Sequence, residues 1–326
     1  MIITRTPLRV SLGGGGTDLP SYYSQREGFV IAAAIDKYVF LGINRTFSDD
    51  YTIKYSEMEK VPTIGDIRHP IVREVLAKHN VPPAVEIVTL AEIPAGTGLG
   101  SSGAFTVGLL RAIYALQREH IPAAGVAEEA CHIEMELLGQ PVGKQDQYIA
   151  SFGGLTCFEF GRDGSVRTSR LLVSEPTMHY LQEHLLMFFT GYSRQATEML
   201  GDQKRRSEQG DGEMLDNLDY IKALGVASKE ALERGDTHRF GELMHEHWLH
   251  KRERTHGMSN PSIDRWYDIG MANGAVGGKL VGAGAGGFLM FYAEDGRALR
   301  KAMAAEGLTE VRFSFDHEGS KILVRD

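Results

Sequence analysis

The stretch Pro94-Ala95-Gly96-Thr97-Gly98-Leu99-Gly100-Ser101-Ser102-Gly103 constrains this chain more than any other. It lies between an apolar run that reads as a strand, Val85 to Leu90, and a run with helical spacing through Phe105, Leu109, Ala112, Ile113 and Leu116. Glycines at alternate positions let backbone N–H groups turn inward. The helix that follows aims its free amides and its N-terminal dipole at the same spot. Such a turn suits an anion, and a phosphate chain above all. Ser101 and Ser102 stand where they can cap that helix, and one hydroxyl can reach a metal bound to the phosphates. A Walker loop would end in Gly-Lys-Ser/Thr, whereas this one ends in Gly-Ser-Ser.

The rest of the chain narrows the class. Its 326 residues exceed one compact domain, so two are expected. A net charge of −8 argues against nucleic-acid binding, which demands a basic surface. No run of about eighteen apolar residues is present to span a membrane. The N-terminus lacks the charged and apolar regions of a signal peptide, and Cys131 and Cys157 are too few for a disulfide framework. A cytoplasmic protein is expected. Strands are read at Phe29 to Ile35, Tyr38 to Ile43 and Tyr51 to Tyr55, with a hairpin from Thr156 to Phe160 and Val166 to Leu172. Helices are read at His69 to His79, Ser102 to Leu116 and Ala123 to Leu138. The second half opens with a strand at Leu185 to Thr190. It continues with helices at Met214 to Arg234, Thr237 to Arg254 and Ile263 to Asn273. Strands at Lys279 to Gly282, Phe288 to Tyr292, Val311 to Phe315 and Lys321 to Val324, with a helix at Arg297 to Ala305, complete it. This mixture lacks strict β-α-β alternation and indicates an α+β fold. The boundary falls between domains at 1–174 and 175–326.

Three further motifs carry chemistry. Arg9-Val10-Ser11-Leu12-Gly13-Gly14-Gly15-Gly16-Thr17-Asp18 joins an arginine, a strand, a glycine hinge and an acid. Arg9 could stabilise negative charge at a reaction centre, and Asp18 could accept hydrogen bonds from sugar hydroxyls. In Gly143-Lys144-Gln145-Asp146-Gln147-Tyr148, Asp146 is of the right type for a general base. Glu134, twelve residues upstream near a helix end, could bind magnesium, which takes oxygen ligands and few from protein. An ordinary polar loop and a solvated helix face would look the same in isolation. Gly282-Ala283-Gly284-Ala285-Gly286-Gly287 matches Gly-x-Gly-x-x-Gly but opens into a strand rather than a helix, which excludes a nicotinamide site. It reads instead as a glycine turn close to the first loop. His245-Glu246-His247-Trp248-Leu249-His250 would need histidine at position 249 to be a zinc-protease helix, and reads as a helix with some exposed histidines.

Taken in this order, the segments resemble the family of galactokinase, homoserine kinase, mevalonate kinase and phosphomevalonate kinase (GHMP kinases) over nearly the whole chain. The resemblance implies a first domain like the second domain of a small-subunit ribosomal protein, a ferredoxin-like second domain and a site in the cleft between them. It implies ATP bound by Pro94, Gly96, Thr97, Gly98, Leu99, Gly100, Ser101, Ser102 and Gly103, with Mg2+ on Ser102 and Glu134. Asp146 becomes the general base and Arg9 a positive charge near the attacking oxygen; Gly15, Gly16, Thr17, Asp18 and Gly284 would bind the substrate. Within the family, Arg9 to Pro20 and Gly143 to Tyr148 look most like the branch that phosphorylates the anomeric hydroxyl of a heptose 7-phosphate. A sugar phosphate calls for cations, and the second domain offers Arg194, Lys204 to Arg206, Lys251 and Arg252. Arg194 is the preferred candidate. A kinase of free fucose, galactose or a uronic acid would share every motif. A non-catalytic sugar or nucleotide sensor on the same fold would have no need of a base. Whether the chain pairs as a homodimer stays open.

Overall fold

The structure, a computed structural model, describes residues 1–191, 197–255, 257–284 and 286–325. The chain opens with β1 (Ile2–Gly13), a short helix α1 (Pro20–Arg26) and β2 (Gly28–Arg45). After β3 (Tyr51–Lys54) and β4 (Met58–Val61) come α2 (Pro70–Lys78) and β5 (Val85–Ala91). Two helices follow, α3 (Ser101–Gln117) and α4 (Ala123–Cys131); α4 runs on as a π-helical turn over His132–Leu137. Then come α5 (Gln145–Phe152) and the expected hairpin, β6 (Leu155–Phe160) and β7 (Val166–Arg170), paired from Thr156 with Arg170 to Phe160 with Val166.

The expected strand pair at Phe29 to Ile35 and Tyr38 to Ile43 is one strand of 18 residues. β2 changes partner rather than ending. Gly28 to Ala33 pair with β6, and Val39 to Arg45 pair with β5. Asp36 and Lys37 sit at the exchange, where the Asp36 carboxylate accepts from the Ser314 amide at 2.8 Å and costs no buried charge. Helices α3 and α5 cover the sheet, and Val10, Ile31, Ala33, Leu109 and Ile113 form part of its dry interior.

In the second half, α6 (Glu175–His184) leads into β8 (Leu185–Phe189). Helices α7 (Thr197–Glu208), α8 (Gly212–Glu233), α9 (Thr237–Arg254) and α10 (Pro261–Ala272) follow. Asp211, Asp236 and Asn260 start the last three by accepting hydrogen bonds from first-turn amides, as their residue types favour. β9 (Gly277–Leu280), β10 (Phe288–Tyr292), α11 (Gly296–Ala305) and β11 (Thr309–Glu310) complete a second sheet in the order β11-β8-β10-β9. Trp248, Tyr267, Leu280 and Phe291 pack a second core between that sheet and its helices. Residues 20–26, 175–184 and 197–208 are helices that the sequence patterning did not disclose.

The strand expected over Val311 to Phe315 is not a regular strand beyond Glu310. The segment crosses between the sheets: the Val311 amide donates to Met187 of β8, and Ser314 accepts from the Asp36 amide of β2. The last strand, β12 (Lys321–Arg325), returns to the edge of β1. Thr6 and Ser320 share a hydrogen bond of 2.8 Å there, and Arg5 reaches both Asp316 and Glu318.

Candidate active site

A cleft of about 410 Å³ lies between the two sheets' outer elements. β1, the Gly96–Ser102 turn and the start of α5 line one side; α9 and β9 line the other. Gly98 and Gly282 lie against each other there. A Cβ on Gly98 would lie 2.6 Å from the Val281 carbonyl, so only glycine lets the two glycine loops touch. The turn between β9 and β10 therefore does stand against the first loop, as its strand context suggested.

Arg9 and Asp146 meet within this cleft. The Arg9 Nε donates to Asp146 Oδ1 at 2.7 Å, its Nη2 lies 2.7 Å from the same oxygen, and its Nη1 donates to the Gly98 carbonyl. Both guanidinium contacts fall on Oδ1, which leaves Oδ2 available to accept a proton. Asp146 is not in a loop but in the first turn of α5, among its free amides. Gly100 and Gly103 make room for it. A Cβ on Gly100 would lie 3.1 Å from Asp146 Cγ, and one on Gly103 would lie 2.9 Å from Asp146 Cβ. Gly100 is also in the left-handed region, at φ +75°, and supplies the N-cap of α3 by backbone alone.

The anticipated serine cap is thus absent. Ser102 turns away from the helix end and donates instead to Glu134 Oε2. Glu134 is fully buried on the π-helical turn; Gln147 donates to its other oxygen at 3.0 Å. Burial pushes its carboxyl above the ordinary range, with Asp146 adding to the effect. Its hydrogen-bond partners are the neutral side chains of Ser102, Gln147 and Thr106. Among the described residues no group of three or more His, Cys, Asp and Glu side chains is present to cage a metal. A hydroxyl, a buried carboxylate without a cation among the described residues and an adjacent glycine turn at a helix N-terminus fit magnesium, which keeps most of its ligands from phosphate and water.

Asp18, Gly15 and Gly16 line the cleft. The Asp18 carboxylate accepts from the Gly16 amide at 3.0 Å and the Gln145 amide at 3.1 Å, tying the first motif to the third. Burial, and then Asp146, raise its carboxyl above the usual value. Thr17 does not reach the cleft: it is buried, with its hydroxyl donating to Gly14 and Phe29 carbonyls and accepting from the Phe29 amide. Within the loop, Gly96, Gly98, Gly100, Ser101 and Ser102 face the cavity. Thr97 bonds back to the Pro94 carbonyl, Leu99 is core, and neither they nor Gly103 line it. Gly284 does not either; Gly282 and Ala283 take that place.

Lys251 lines the cleft, 7% exposed, with its ammonium donating to the Leu280 and Gly282 carbonyls. Arg252 instead points to solvent. Arg205 pairs with Asp202 and Arg206 with Asp211, and Arg194 lies outside the described residues. Sequence patterning missed His247, Arg254 and Lys279, which complete this wall. His247 is buried rather than exposed, and burial followed by the neighbouring cations holds it neutral. The signal was available: positions 247, 251 and 254 fall on one face of α9.

Comparison with known proteins decides the family. The signature of the GHMP kinases N terminal domain matches residues 67–154, and that of the GHMP kinases C terminal region matches residues 228–308. The chain is 31% identical to the D-glycero-alpha-D-manno-heptose 7-phosphate kinase of Campylobacter jejuni over 98% of both chains. It belongs to the GHMP kinases. The two-domain fold agrees with a crystal structure of a D-glycero-D-manno-heptose 1-phosphate kinase from Bacteroides thetaiotaomicron, at a TM-score of 0.80, 24% identity and 99% of both chains. An L-fucokinase/L-fucose-1-P guanylyltransferase of Bacteroides fragilis is 26% identical over 90% of this chain and 35% of its own length. As a GHMP kinase of the sugar-kinase kind, the protein uses ATP as its phosphoryl donor.

Proposed function

We propose that this GHMP kinase transfers the γ-phosphoryl of ATP to the anomeric hydroxyl of D-glycero-D-manno-heptose 7-phosphate, giving the 1,7-bisphosphate. The observation that carries the reading is the Arg9–Asp146 pair set against the glycine turn, in a chain 31% identical to a heptose 7-phosphate kinase. Inward amides of Gly96 to Ser102 and the start of α3 hold the phosphates. Asp146 takes the proton of the attacking hydroxyl on Oδ2, while Arg9 fixes the carboxylate through Oδ1 and balances the charge that develops. Asp18, Gly15 and Gly16 orient the sugar. Ser102 and Glu134 would hold magnesium, whose chemistry there is to neutralise charge on the phosphates and align them for in-line displacement. In this reading the nucleotide loop and the base stand on elements of the first sheet's side, and the cationic wall on α9 and β9.

The test is ATP turnover with magnesium on mannoheptose 7-phosphate, free mannoheptose, fucose, galactose and glucuronate, with product position read by phosphorus NMR. Preference for the 7-phosphate with a new anomeric phosphate is expected. Turnover of free sugars alone would overturn the substrate and favour the second reading, a kinase of an unphosphorylated sugar, which the likeness to an L-fucokinase supports.

A further inference from the structure

Lys251, Arg254 and Lys279, at 7%, 5% and 2% exposed, line the cleft, and among the described residues none of the three forms an ion pair. Lys279 donates to the Leu12 carbonyl at 3.0 Å and lies 3.5 Å from His247 Nδ1. Lys251 is held by the Leu280 and Gly282 carbonyls. Arg254 donates from Nε to Asn217 Oδ1 and from Nη1 to Gln203 Oε1, both at 3.1 Å, with the Gly15 carbonyl at 3.5 Å. Every partner is neutral. Arg254 Nη2 is buried and has no hydrogen-bond partner among the described residues. Beside the same turn, the buried Ser11 hydroxyl also lacks one; it too lines the cleft, 3.1 Å from where a Gly15 side chain would begin.

The carboxylates of the cleft are committed elsewhere, Asp146 to Arg9 and Asp18 to two backbone amides. Burying three cations with Asp18 as a partial counter-charge to Arg254 is still unfavourable, and burial pushes the Lys279 amine down to about 7 and Arg254, against the opposing pull of Asp18, down to about 10. Unsatisfied donors of this kind mark a place that an anion completes. Its position tells which anion. Arg254 borders Gly15 and Gly16, which the proposed function gives to the acceptor, while Lys251 bonds the Gly282 carbonyl, where Gly282 lies against Gly98 of the nucleotide turn. A phosphate monoester carries up to two charges and three terminal oxygens, against one charge and two oxygens for a uronate. An arginine fork, two ammonium groups and a hydroxyl match the first.

We infer that Arg254, Lys251 and Lys279, with Ser11, form an anchor for the phosphate that the acceptor sugar already carries, so that the cleft selects a sugar monophosphate over the free sugar. This rests on the proposed phosphoryl transfer to a sugar phosphate, and it assigns the selection to Arg254 rather than to the exposed basic residues of α7 and α9. The experiment compares Arg254→Met with the unaltered protein on mannoheptose 7-phosphate and free mannoheptose, with ATP varied in each. The ratio of kcat/KM for the two acceptors falls on the order of 100-fold, through KM for the 7-phosphate, while KM for ATP holds. Inorganic phosphate competes with the acceptor in the unaltered protein and loses that competition in the variant. Ser11→Ala removes a hydroxyl with no structural partner and lowers the same ratio by about 10-fold, should the arginine variant fold poorly. Equal losses on both acceptors, or a raised KM for ATP, would overturn the anchor. An unaltered protein that ignores every phosphorylated sugar would sink the substrate reading itself. An unaltered preference that survives both substitutions would sink the anchor alone.

Discussion

Replacing Lys279 with methionine removes a buried ammonium while roughly keeping its length, and the consequence depends on pH in a way the structure fixes. Burial, reinforced by Arg9, brings this amine to about 7 from an ordinary 10.5. Unfolded, the lysine keeps its proton across that interval; folded, it has lost it. The unfolded chain therefore binds more protons between the two values, and stability rises with pH there. The penalty is full below the folded value and is relieved as pH climbs through it. From pH 7 to pH 9 this one group adds on the order of 2 kcal/mol to the unfolding free energy, with a steepest slope near 1.4 kcal/mol per pH unit, about one proton. Urea unfolding at constant ionic strength, done in parallel on both proteins, measures it. The Lys279→Met curve should rise less than that of the unaltered protein by about this amount. Parallel curves would mean that the folded amine stays charged throughout, and the account of the cationic wall would be wrong. Saturating the cleft with inorganic phosphate should flatten the difference, because an anion restores the proton.

Asp146→Asn keeps the shape of the Arg9 contact but cannot take a proton; kcat should fall about 10²- to 10⁴-fold with acceptor KM little changed, and an unchanged kcat would remove Asp146 from the role of base. Gly100→Ala places a Cβ 3.1 Å from Asp146 Cγ at φ +75°, costing about 1–2 kcal/mol from backbone strain and lowering kcat as well. Thermal unfolding and kinetics at one temperature check both effects, and a variant as stable and active as the parent would refute the packing argument. Glu134→Gln should raise the magnesium concentration needed for half-maximal turnover by about 10-fold or more, as loss of a ligand charge implies. A magnesium titration that overlays the parent's would remove Glu134 from the metal site.

The glycine turn was legible because a demand for close backbone approach is written in residue type. No other side chain survives 2.6 Å from the Val281 carbonyl, and the run Gly96 to Gly103 announces as much. Asp146 and the carboxylate behind Ser102 were legible as site candidates only through their company; alone, Asp146 and Glu134 resemble any polar residue at a helix end. The cationic wall was half hidden. Lys251 and Arg252 were weighed together as one basic pair, yet helix geometry sends one into the cleft and the other to water. Lys279 sits on a different element, so its meeting with Lys251 is a tertiary fact that no local pattern contains. The π-helical turn left no trace either, since apolar periodicity carries through Ile133. The segment after Glu310 alternates like a strand through Val311, Phe313 and Phe315, but its backbone bonds are shared between two sheets.

The return of β12 to the edge of β1 has a consequence for synthesis on the ribosome. Arg5 must wait for Asp316, 311 positions later, before its ion pair can form. At ordinary elongation rates that is roughly 15–60 s during which the outer edge of β1 stands open. An uncovered edge invites pairing with a neighbouring nascent chain. The strand that carries Arg9 is thus among the first made and the last to be closed, and a cell that overproduces this protein should find its losses in the soluble fraction before it finds them in the activity of the molecules that finish.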